Sequence, residues 1–463
     1  MNETTDNNIP LNTSESEGQA FEQTAAPSSV PTVSAAAPVV PVPEKPFLVS
    51  KAEILFALLS YAAAYLYIKM FFNDLGTDAA APLWRVLPIA AFAVAAVLVL
   101  NQKRKASTES WFWLACFLAL VSALTFRFNA VWEEWQLFLF VHGMIVWWTL
   151  SRSGRLLENE SGRFFPADLA NGLFVIPFCH FFLRIRTWIK GLGTTLKRSK
   201  GSKQTLWWIA GALLISLLLF SGAVKLLMQA DSGFAKKLEG LTDWLKIDRE
   251  VLLYFFFSLP AGAYIYGLIG GSARHDEQML RTQKNGLERF LASIRRVPAG
   301  FWAAVILLFS ALYIAFFALQ ASYFLGGFHH TLPEGFIVSQ YAREGFFELC
   351  RVMALNFGLL WLVTRMSEAD ISGEQKCGKL LKFSCLLLLI ESLLFAVIAA
   401  SKIALYVSNF SWTMKRIQSL WLVAVLAAAC LAWAIHLLSG KKTMKIWMML
   451  SAGTLSALAF LPL

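Results

Sequence analysis

Four ionisable residues stand where apolar runs should exclude them. Glu348 and Arg351 lie in SQYAREGFFELCRVMALNFGLLWLV, residues 339–363, and Glu391 and Lys402 in CLLLLIESLLFAVIAASKIALY, residues 385–406. A charge near the centre of a bilayer costs roughly 2.5–3.5 kcal/mol on insertion scales, so it normally faces protein or water. Glu344, Glu348 and Arg351 follow i, i+4, i+7 spacing and share a helical face, on which Glu348 and Arg351 can pair. Lys402 falls eleven residues after Glu391, nearly on the same face but about 16 Å along the axis, so each needs a partner on another helix. Such residues support ion or proton binding along a polar route. They serve equally as clamps between helices, and both readings stand here.

Holding these residues requires membrane helices, and the composition agrees. Of 463 residues, 57% are hydrophobic and 15% charged, against about 25% charged in ordinary soluble proteins. The expected fold class is all-α, a polytopic transmembrane helix bundle of about 11 spans. The spans fall near 54–72, 83–100, 110–126, 131–150, 206–228, 250–271, 299–325, 345–365, 380–400, 417–438 and 444–462. Residues 1–46, rich in Pro, Ser, Thr and Ala with six acids against Lys45, form a separate region, a disordered cytoplasmic tail. The tail has no basic start and no apolar core, so the first span is expected to direct insertion. Residues 47–463 form the integral membrane domain.

Lys and Arg in short loops set the orientation. With the N-terminus cytoplasmic, Lys103–Lys105, Arg152, Arg155, Arg163, Lys376–Lys382 and Lys441–Lys445 fall inside, whereas loop 73–82 carries no Lys or Arg and falls outside. Segment 169–183, with Asn171, Gly172, Pro177 and His180, decides the rest. If it spanned, the basic loops at 184–203 and 274–296 would lie outside. It is therefore expected to be interfacial or re-entrant, which leaves the C-terminus outside. The 184–205 polybasic cytoplasmic segment is expected to lie on the bilayer, with residues 184–203 meeting anionic headgroups. Loop 229–249 has Phe234, Leu238, Leu241 and Leu245 at helical spacing and is expected to form an amphipathic helix outside.

The net charge of +11 does not point to nucleic acid, because the basic residues sit between apolar runs. The six cysteines form no C-x-x-C pair and read as small buried hydrophobes. No phosphate-loop, serine-hydrolase or zinc-protease motif is present. His275, Asp276 and Glu277 read as a solvated cluster, and His329, His330 and Glu334 lack a convincing third ligand. No cofactor and no metal site is expected, and an enzyme ranks behind a transporter or a scaffold. His142 and His436 read as packing residues. Ala263, Gly267 and Gly271, four apart, permit close helix contact beside a kink at Pro260.

The block Tyr341, Ala342, Arg343, Gly345, Phe346, Phe347, Glu348, Leu349 resembles a motif in bacterial polytopic membrane proteins catalogued as domain of unknown function, type 4153 or 4173. A second block resembles a later helix pair of that family at Glu391, Ser392, Ser401, Leu405, Tyr406, Thr413, Arg416 and Trp421. Here the sequence departs from the pattern: Ser408, Phe410 and Ser411 stand where Glu, Tyr and Gly are expected. The resemblance covers roughly the second half of the chain. It implies a multi-pass protein of the bacterial cytoplasmic (inner) membrane and no particular substrate. Two functions remain open: a transporter or ion-coupled permease with Glu348, Arg351, Glu391 and Lys402 along a polar route, or a non-catalytic scaffold or regulatory partner. The sequence does not say whether the chain has a protein partner or forms a homo-oligomer.

Overall fold

The computed structural model describes residues 48–73, 83–126, 131–196, 249–274, 277–320, 338–368 and 376–461, with Ser216; the side chains of 192–196, 249, 320, 338–344 and 376–377 are outside the description. The tail, residues 197–205 of the polybasic segment, the span expected at 206–228 apart from Ser216, nearly all of the 229–249 loop, and His275, Asp276, His329, His330 and Glu334 lie outside the described residues.

Among the described residues the regular elements are all helices: α1 (Lys51–Asn73), α2 (Leu83–Leu100), α3 (Thr108–Phe126), α4 (Glu134–Ser153), α5 (Phe165–Ala170), a π turn (Asn171–Val175), α6 (Ile176–Cys179), α7 (Leu183–Leu196), α8 (Arg249–Arg274), α9 (Glu277–Ile294), α10 (Ala299–Gln320), α11 (Val338–Met366), α12 (Lys376–Phe410), α13 (Met414–Ser439) and α14 (Met444–Leu458). Helices close every backbone hydrogen bond internally, the requirement a lipid surround imposes. Eight are long and apolar enough to cross a membrane: α1, α2, α3, α8, α10, α11, α12 and α13. Two expected spans form helices that fall short of that standard. Among its 20 residues α4 includes His142 and Arg152, and α14 has only 15 residues.

Helices α10 to α13 pack around one apolar core that includes Ile306, Met353, Leu360, Leu388 and Cys430. Outward-facing side chains such as Leu308, Leu312, Phe383 and Ile390 are also apolar, the pattern of helices that meet lipid on one side and each other on the other. A second core joins α3 and α4 to α14 through Leu120, Leu124, Leu137 and Leu455.

Helices α1 and α8 run antiparallel. Glu53 pairs with Arg274 at 2.6 Å at one end, and Tyr254 donates to Asn73 at 2.5 Å at the other. The basic residues collect at the Arg274 end. Arg155 donates to the Ser272 carbonyl at 2.7 Å, Arg152 to the Arg104 carbonyl at 3.0 Å, and Arg104 pairs with Glu277 at 3.2 Å. Arg163 pairs with Glu288 at 3.3 Å, and Arg365 donates to the Arg163 carbonyl.

The helix Phe165–Cys179 and the helix Leu183–Gly191 meet at a 43° bend. Both outer ends of this bent pair lie near the basic end. Phe164 packs with Leu280, just beyond Arg274, and Gly191 lies against Ile54, next to Glu53. Between them the chain dips along α8, where Tyr264 donates to the Leu173 carbonyl at 3.0 Å. A Cβ at Gly267 or Gly271 would strike the Pro177 carbonyl or the His180 ring, so the small residues of α8 admit this segment. Helix α8 continues through Pro260.

Candidate functional site

Glu391 stands near the middle of α12 and is 2% exposed. The three-helix register of α10, α11 and α12 brings other polar side chains to it. Oε2 accepts from Ser310 Oγ at 2.9 Å. Oε1 is buried without a hydrogen-bond partner among the described residues. The neighbouring Ser392 hydroxyl accepts from Asn356 Nδ2 at 2.9 Å and donates to the Leu388 carbonyl at 2.8 Å. Asn356 Oδ1 in turn accepts from the Tyr313 hydroxyl at 2.7 Å. Ser310, Asn356, Glu391 and Ser392 are all buried. Phe395, one turn beyond Glu391, covers the cluster edge-on to Tyr313 at 5.0 Å between centroids.

This geometry has a chemical consequence. The hydroxyls and the amide satisfy one another, so the only net charge in the cluster is the Glu391 carboxylate. No cation pairs with it among the described residues. A buried carboxylate with a single donor requires a proton or a small cation to neutralise it. Its possible ligands are all oxygens, which suits a hard monovalent ion or a proton rather than a soft metal.

The structure does not gather the four charged residues into one place. Glu348 and Arg351 do pair, at 3.7 Å, but their side chains are 58% and 79% exposed on the flank of α11. Lys402 joins that flank. Its ammonium rests against Gly345, so closely that a Cβ there would collide with it, and the Glu348 carboxylate attracts it. The arrangement is one buried site at Glu391 and one surface patch at Gly345, Glu348, Arg351 and Lys402. The basic segment also divides: Arg184 turns inward and is 2% exposed, while Arg186 and Lys190 face out.

A second buried carboxylate, unremarked in the sequence, lies at the basic end. Glu109 Oε1 accepts from the Ser161 backbone N–H at 3.0 Å, the Ser161 hydroxyl, and Trp113 Nε1 at 3.0 Å. Its Oε2 pairs with Lys445 at 3.1 Å, and Lys445 also reaches Glu160 at 3.2 Å. No cluster of three or more metal-ligating side chains exists among the described residues.

The motif residues have definite places. Tyr341 and Arg343 fall in the first turns of α11, Phe346 is buried in the core and Phe347 faces out. A family model described as a domain of unknown function (DUF4153) matches residues 114–463. The chain belongs to this family. The DUF4153 region begins in α3, well before the second half of the chain where the motif blocks lie. No curated protein and no solved structure matches the chain.

The second DUF4153 block builds the turn from α12 to α13. Arg416 stacks on Tyr406 at 4.2 Å and donates to the Phe410 carbonyl at 2.6 Å. Ser411 adopts φ 65°, a left-handed conformation that glycine accepts without strain. The glycine expected here from the resemblance would have that physical reason.

Proposed function

We propose that this DUF4153 protein is a multi-pass membrane protein of the transporter or ion-coupled permease class, in which Glu391 takes up and releases a proton or a monovalent cation. The observation that carries this reading is the Glu391 carboxyl itself, buried mid-helix with one hydroxyl donor and one bare oxygen. Ser310 orients it, and Asn356, Tyr313 and Ser392 hold the three helices in register around it. Movement of α10 or α11 would change its surroundings and thereby couple charge to shape.

The test uses the purified full chain, whose many tryptophans report its conformation. Acid or sodium pulses should change the fluorescence of the wild type and leave Glu391→Gln unchanged at equal protein level and thermal stability. A Glu391→Gln protein that is merely unstable would remove the functional reading.

The scaffold reading is favoured by a different observation. The exposed Glu348–Arg351 pair, with Lys402 beside it, offers a charged patch at membrane depth that a partner helix could cover. Stoichiometric co-purification of a membrane protein, lost in Arg351→Gln, would favour it.

The proposed setting is a bacterial inner membrane, with the N-terminus and the basic end cytoplasmic, the C-terminus outside, and the bent segment 165–191 re-entrant. The return of Gly191 to the Glu53 end supports that reading, as does the gathering of basic residues at one end. A reporter fused after Lys197 should read cytoplasmic; a periplasmic signal would overturn it.

A further inference from the structure

We propose that the cleft between α1, α7 and α8 is a binding site for an anionic lipid, whose phosphate oxyanion Arg184 receives. Arg184 Nη2 donates to the Leu259 carbonyl at 2.8 Å, and the guanidinium stacks over the Tyr61 ring at 3.9 Å. Nε and Nη1 are buried without hydrogen-bond partners, and no carboxylate pairs with the group among the described residues. The acid nearest the end of this helix pair, Glu53, is already committed to Arg274. A lone guanidinium held out of water costs several kcal/mol, and its planar fork matches an oxyanion.

Beside Arg184 opens a cavity of about 290 Å³. Its walls include Tyr61, Phe181, Phe182, Ile185, Pro260 and Ala263. Phe182 is 72% exposed, so the mouth faces the surface that lipid would cover. A hydrated inorganic ion would gain nothing from such walls, but an acyl chain would. An amphiphile with one oxyanion head therefore fits both features.

The level is also right. A Cβ at Gly262 would sit 3.1 Å from the Ser60 carbonyl, and Ser60 lies seven residues along α1 from Glu53, about 10 Å below the basic end. That is just beneath the headgroups, under the exposed Arg186 and Lys190 that draw anionic lipid to the spot. Arg184 already walls the cleft, so a torsional change in its long side chain turns Nη1 away from Gly262 and, with Nε, toward the phosphate. This site is distinct from the Glu391 cluster and does not depend on how that cluster functions.

The test titrates the delipidated full chain in neutral detergent with dioleoyl phosphatidylglycerol, counting bound lipid by native mass spectrometry. The wild type should bind one lipid saturably, and inorganic phosphate should not compete. Arg184→Gln should weaken binding about tenfold or more, the loss of one charge-assisted contact. Arg186→Gln, at an exposed neighbour, should weaken it less than about twofold. Ala263→Leu, which fills the cleft and keeps Arg184, should match Arg184→Gln and decides the matter if that variant does not fold. Equal losses in Arg184→Gln and Arg186→Gln would reduce the effect to surface attraction and overturn the site. So would competition by inorganic phosphate, absence of saturable binding, or wild-type binding by Ala263→Leu.

Discussion

Glu109 and Glu391 are both buried glutamates on helices long enough to cross a membrane, and they are treated in opposite ways. Glu109, in the first turn of α3, is enclosed by two donors from Ser161, the Trp113 indole and the Lys445 ammonium. Glu391, in the middle of α12, has one serine hydroxyl and a bare oxygen. A carboxylate ringed by donors and a cation is held in one charge state, and it locks distant segments together. A carboxylate with one weak donor is free to change partner. The same residue type is a fastener in one place and a candidate working part in the other.

The largest expected effect tests the fastener. Glu109→Ala leaves the Trp113 indole and the Ser161 hydroxyl and backbone N–H without their acceptor and removes one of the two carboxylates on Lys445, and should destabilise the protein by about 3 kcal/mol. Glu391→Gln should change stability by less than about 1 kcal/mol, because the amide still accepts from Ser310. Thermal unfolding in detergent compares the two, and equal losses would erase the distinction. Next, Asn356→Leu breaks the chain from Tyr313 to Ser392 and should cost about 1–3 kcal/mol by leaving the buried Tyr313 hydroxyl without its acceptor; the same unfolding assay reads it. Ser411→Gly should stabilise the turn by up to about 1 kcal/mol, as glycine relieves the left-handed backbone. The smallest effect belongs to the surface patch. Glu348→Gln should shift stability by less than about 0.5 kcal/mol, as exposed pairs contribute little. A large loss there would mean that the flank is covered by a partner.

The helices were legible because a lipid surround forces apolar runs, and Glu391 was legible because a charge in such a run is expensive. Its companions were not. Ser310, Tyr313 and Asn356 are ordinary residues on their own helices, and only the mutual rotation of three helices turns them to one point. Glu109 was hidden for another reason. It opens its helix, where an acid suits the positive dipole end and attracts no notice, and its cation lies 336 positions away in sequence. Arg184 misled by context, since a run of basic residues implies a surface and gives no sign that one member turns inward. Position 411 was the reverse case, a local backbone requirement that explains why a glycine is expected there, and this chain meets it with serine.

Helix α12 has a further consequence. Its 35 residues extend about 52 Å, while the hydrocarbon layer is about 30 Å thick. Counted from Phe383, just past Lys379 and Lys382, that layer ends near residue 403, beside Lys402, with Tyr406, Phe410 and Trp412 beyond it. The surplus length must be absorbed by leaning or by standing proud of the lipid. A thicker or thinner membrane would alter that lean and tilt the helix that carries Glu391 against its neighbours. In the proposed membrane setting, the acyl-chain length of the host lipids therefore becomes a variable that acts on the Glu391 site.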